Sequence, residues 1–125
     1  MIDIIDSIIS TLGSIEELGG RVYRRWPRKD VTMPAALVSH MGRMPILTDE
    51  DGTEIQTSLT YSIDINAKDQ ETTDRVTEKA INALARYNMH TSGHVDFYDD
   101  QLRVYRSILT VGGLVDIRGN TFTQS

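Results

Sequence analysis

The side chains best suited to chemistry in this 125-residue sequence are three histidines, His40, His90 and His94. His90 and His94 share the four-residue spacing of a helical metal pair, and Asp96 follows closely. That spacing puts two imidazoles on one face only in a helix, whereas Ser92-Gly93 between them marks a loop entering a strand. With no HExxH-type context, solvated loop histidines are the better account, and no metal is implied. The acidic run Asp49-Glu50-Asp51-Gly52-Thr53-Glu54 invites a calcium reading. With Gly52 as the sixth position, however, positions one and twelve fall on Leu47 and Ser58, and neither is a carboxylate. A solvated hairpin tip fits better. The sequence holds no glycine-rich phosphate loop, GxSxG elbow or cysteine nucleophile. It implies no cofactor and reads as a non-enzyme.

Two other groupings suit contact with a partner. Arg21, Arg24, Arg25, Arg28 and Lys29 surround Trp26. Basic residues around an aromatic can touch nucleic acid, discourage pairing at an edge strand, or anchor a protein interface. A net charge of −5 disfavours nucleic acid, leaving Arg24, Arg25 and Trp26 as edge protection or interface. The stretch His40–Leu47 sets Met41, Arg43, Met44, Ile46 and Leu47 around Gly42 and Pro45. It reads as a half-buried continuation of a hairpin, or as a mobile arm whose methionines pack on a partner.

The elements that must position these groups follow from hydrophobic periodicity. The chain reads as one domain spanning residues 1–125, long enough to bury roughly two-thirds of its unfolded surface. The absence of cysteine excludes a disulfide framework and suggests assembly in a reducing compartment. MIDIIDSIIS carries Asp3 and Asp6 and no basic start, so it reads as an amphipathic helix and not a secretory signal. No apolar run approaches the ~20 residues of a membrane span.

Helix one is expected over Ile2–Leu18, ended by Gly19-Gly20. Short strands are expected at Arg21–Trp26 and Ala35–Met41, the second continuing over Met44–Thr48 after an irregularity at Gly42. Asp51-Gly52 signals a type I′ hairpin turn into the alternating strand Ile55–Ala67. On that strand Ile55, Thr57, Leu59, Tyr61, Ile63, Ile65 and Ala67 face one way, while Ser58, Thr60, Ser62, Asp64 and Asn66 face a solvated or ring-lining side. Asp69 caps helix two, whose stripe is Val76, Ala80, Ala83, Leu84 and Tyr87. A polar loop Met89–Gly93, strands Val95–Tyr98 and Leu102–Val111, a bulge or bend at Gly112-Gly113, a resumed strand Leu114–Ile117 and a short edge strand or tail Thr121–Ser125 complete the order. The expectation is an α+β fold of order α-β-β-β-α-β-β, with both helices on one face of a mainly antiparallel sheet.

This order, with Arg21-Val22-Tyr23, Pro34-Ala35-Ala36-Leu37-Val38, Tyr61–Ala67, Val95–Tyr98 and Val104–Leu109, resembles the tail terminator (tail completion, tail-to-head joining) proteins of long-tailed bacteriophages with non-contractile tails. The resemblance covers the chain from helix one to about Ile117. It implies a hexameric ring in the virion neck, assembled in the host bacterial cytoplasm, that caps the tail tube and ends its polymerisation. The implied partners are further copies of the chain, the tail-tube protein and the head-completion or connector protein. DNA would pass through the ring without specific binding, and no membrane is involved. The alternatives are a tail-tube or head-closure protein, or a small ligand- or metal-binding domain using His90, His94 and Asp96.

Overall fold

The computed structural model describes residues 2–122, with the side chains of Glu54 and Phe122 outside the description. Among the described residues the chain forms α1 (Ile5–Gly13), β1 (Val22–Tyr23), β2 (Ala35–Thr48), β3 (Glu54–Ala67), α2 (Gln70–Arg86), β4 (His90–Asp99), β5 (Val104–Asp116) and β6 (Thr121–Phe122). The strands make one sheet in the order β1-β2-β3-β5-β4, with β6 added to β5. Only β1 runs parallel to its neighbour. The fold is α+β, with both helices over one face.

That face is written by the odd positions of β3, where Thr57, Leu59, Tyr61, Ile63, Ile65 and Ala67 are all buried. Their partners on β5 include Val111, Leu109 and Ser107. Helix α2 covers them with Thr73, Val76, Thr77, Ala80 and Leu84. Ala83 and Tyr87, expected on its stripe, are only half-buried. Asp69 caps α2 as expected, its carboxylate accepting from the Thr72 amide at 2.7 Å.

Helix α1 is shorter than its periodicity suggests. Residues 2–4 are non-helical and pinned by Tyr61, whose hydroxyl donates to Asp3 Oδ1 at 2.6 Å and accepts from the Ile4 amide at 3.1 Å. Burial, and then the bond to Asp3, raise the Tyr61 pKa. Beyond Gly13 the chain tightens into turns with i→i−3 bonds, Ile15 to Leu12 and Leu18 to Ile15. Ile15 and Leu18 stay buried, so the apolar spacing continues while the helix does not.

Several other boundaries move. The first strand is two residues long, not Arg21–Trp26. Strand β2 runs unbroken from Ala35 to Thr48, with register shifts around Met41 and Ile46. Its turn to β3 spans Asp49–Thr53: the Asp49 carboxylate accepts from the Asp51 and Thr53 amides, both at 2.9 Å. Gly52 has φ 80° and Asp51 no positive φ, so this is not the type I′ turn, which needs two. The loop expected at Met89–Gly93 is strand from His90 onward, and Met89 is fully buried. Asn88, at φ 61°, turns the chain out of α2 directly into β4. The bulge expected at Gly112-Gly113 lies instead across the ladder, at Ser92 of β4. Gly113 serves close packing: a Cβ there would stand 2.6 Å from the Asn88 carbonyl oxygen and 2.7 Å from Met89 Sδ. Of the expected terminal strand, Thr123–Ser125 lie outside the described residues.

Candidate partner interface

The histidines are separated by the bulge at Ser92. His94 pairs with Leu109 and Asp96 with Ser107, on the helix side, whereas His90 pairs with Gly112 on the other. His94 Nε2 lies 2.7 Å from Asp96 Oδ1 and 2.8 Å from Ser107 Oγ. Carboxylate and hydroxyl thus meet the same ring nitrogen, and Ser107 is fully buried. A nucleophilic relay needs them on opposite nitrogens. Among the described residues, no group of three His, Cys, Asp or Glu side chains could hold a metal ion.

The two sequence-derived interface groups do not meet. The cationic segment follows β1, which pairs with Ala36 and Leu37 near the start of β2. Arg24 forms an ion pair with Asp6 at the beginning of α1. The Trp26 ring centroid is 6.0 Å from that of Tyr23. Trp26, Lys29, Val31 and Met33 line one side of a cleft of about 330 Å³ whose other side is Asn66, Leu102 and Val104. This segment therefore reaches the non-helical face at one end of the sheet. Asn66 is 2% exposed and Asp64 8%, so that end of the face is buried, not solvated as the alternation of β3 suggests.

The apolar residues of the hairpin lie at the other end. Leu37 to Leu47 is ten residue steps of strand, about 33 Å at the usual rise. Met41 is 58% exposed, Met44 64%, Ile46 51% and Leu47 51%. Arg43, half-buried, pairs with Leu59 on the helix side, while Met44 and Leu47 pair with Ser58 and Gln56 on the opposite face. Met41 and Ile46 occupy the irregular positions. Four large apolar side chains are thus displayed along one strand that stays paired to β3 through its register shifts. Such a patch marks an interaction surface.

No protein-family model matches this chain, and no curated protein sequence is significantly similar to it.

Sequence reasoning passed over a third surface, on β4. Val95, Phe97, Tyr98 and the adjoining Leu102 are exposed. Their alternation with Asp96 was visible, but nothing local says that β4 is the outermost strand. The strand is braced from the outer face by Arg106. Its guanidinium reaches Asp64 through Nη2 at 2.5 Å and Nε at 3.3 Å, reaches Asp99 through Nη1 at 3.1 Å, and lies 5.0 Å over the Phe97 ring. Asp64 hydrogen bonding, outweighing partial burial, raises the Arg106 pKa. The Asp99 pKa is lowered, first by the Leu102 amide and, against desolvation, by Arg106. One cation therefore ties β3, β5 and β4 together.

Proposed function

We propose that this chain is a structural subunit of the neck of a long-tailed phage, one of a ring of copies that caps the tail tube, stops its growth and meets the head connector. The observation that carries the reading is the β2 hairpin. Fourteen residues of strand present Met41, Met44, Ile46 and Leu47 to solvent while the sheet behind them is anchored by β3. An assembly protein needs such a surface, and flexible thioethers suit an irregular partner. The α+β element order expected for this class supports the same reading.

In this reading a ring arises from one heterologous contact repeated until it closes. The acidic character of the chain keeps DNA from sticking during passage. Incubating the purified protein with growing tail tubes tests the role: tubes should stop at uniform length with added density at one end. Growth unaffected by the protein sinks the reading.

A further inference from the structure

We infer that neighbouring copies join through the β4 margin of one and the Tyr23–Lys29 segment of the next. This deepens the ring reading above and rests on it for closure. The β4 margin is open in two senses. Strand β4 ends the sheet, so its outward amides and carbonyls have no ladder partner among the described residues, and residues 93–99 contain no proline, lysine or register shift to discourage one. Beside it α2 and β4 form a groove of about 260 Å³ lined by Asp74, Thr77, Glu78, Ile81, Asn82 and His94. Thr77 is 4% exposed, yet its Oγ1 has no hydrogen-bond partner among the described residues. Buried hydroxyls are normally satisfied, so the wall of this groove holds an unmet hydrogen-bonding group just beneath its surface.

Charge selects the occupant. Asp74, Glu78 and Asp96 are exposed along this margin, and Asp74 and Glu78 form no ion pair among the described residues. Two β4 margins placed edge to edge would set these acids against one another. The segment after β1 carries the complement: Arg25, Arg28 and Lys29 are exposed and, among the described residues, form no ion pair. A guanidinium offers several donors to carboxylates at once. The contact joins two different surfaces, not one surface to its own copy. The contact must run head to tail from copy to copy, as a closed ring requires.

The chain has no cysteine, which makes the test clean. A variant carrying Glu78→Cys, on the groove itself, and Arg25→Cys is oxidised at the highest soluble concentration and resolved under denaturing conditions. The expected result is a ladder at multiples of 14.1 kDa from the double variant, with neither single variant forming dimers. Dimers from Glu78→Cys alone, or no ladder, overturn the contact. In a second arm, Asp74→Arg with Glu78→Arg and Arg25→Glu with Arg28→Glu should each weaken self-association at least about tenfold, and mixing the two proteins should restore it. Unchanged association of either variant also overturns it. A ladder without tube capping would remove the tail role and leave the contact, whereas capping without a ladder would do the reverse.

Discussion

The two long margins of this sheet are built on opposite plans. On the β2 side the strand shifts register around Met41 and Ile46, contains Pro45 and is partly covered by β1. Each of these devices discourages another strand from adding there. What that margin displays is side chain: methionine, isoleucine and leucine. On the β4 side the strand is regular beyond Ser92, and it adds a free backbone edge beside an acidic groove to the apolar side chains Val95 and Phe97 on its outer face. The difference teaches that exposed apolar side chains and exposed strand edges are separate resources. The first suits an irregular partner, and the second suits a repeated, registered contact.

If that division is right, substitutions on the two sides should fail in different ways. The largest effect is expected from Arg106→Ala, which leaves Asp64 nearly buried without its cation and releases Asp99 and Phe97. About 2–3 kcal/mol should be lost in chemical denaturation, towards the lower end for buried pairs because Arg106 is 24% exposed. Gly113→Ala follows, since its methyl would collide with the Asn88 carbonyl and Met89; overpacking of this kind costs about 1–3 kcal/mol. On the β2 side, Met44→Asp or Ile46→Asp should leave stability within about 0.5 kcal/mol, because both side chains are solvated. Their loss should appear in tube binding, weakened at least about tenfold in a pelleting assay. Equal stability losses on both sides would erase the distinction.

The smallest expected effect lies between α2 and the turns that follow α1. Glu17 accepts from Lys79 Nζ at 2.8 Å and Arg75 Nε at 3.0 Å. Chiefly through Lys79, its pKa is lowered from 4.5 to about 2. A depressed carboxylate pKa means the folded state holds the charged form, so the contribution is complete above pH 4.5 and fades as pH falls towards 2. Glu17→Gln should flatten the acid limb of the stability profile in that window and leave the profile unchanged in shape at neutral pH.

Much of the architecture was legible in the sequence because it is periodic. The odd positions of β3 and the Asp69 cap state their roles locally. What was not legible depends on neighbours far along the chain. The spacing of Ile15 and Leu18 suits a helix, but those residues are buried equally well by turns. Met89 looked like loop because Asn88 and His90 flank it, yet it fills the space that Gly113 leaves open, twenty-four positions away. Asp64 and Asn66 continue a polar alternation, and only the arrival of Arg106 and the Trp26 segment buries them. Of the interface residues, Met41, Met44, Ile46 and Leu47 stood out because a Gly and a Pro interrupt them. Val95 and Phe97 did not, since their exposure follows from strand order.

The central claim is that this chain caps a tail tube. Electron microscopy of tail tubes polymerised with and without the purified protein tests it most directly. The expected result is a ring-shaped density at one tube end and an arrest of growth that Met44→Asp abolishes. Tubes that lengthen equally in both samples, with bare ends, would contradict it.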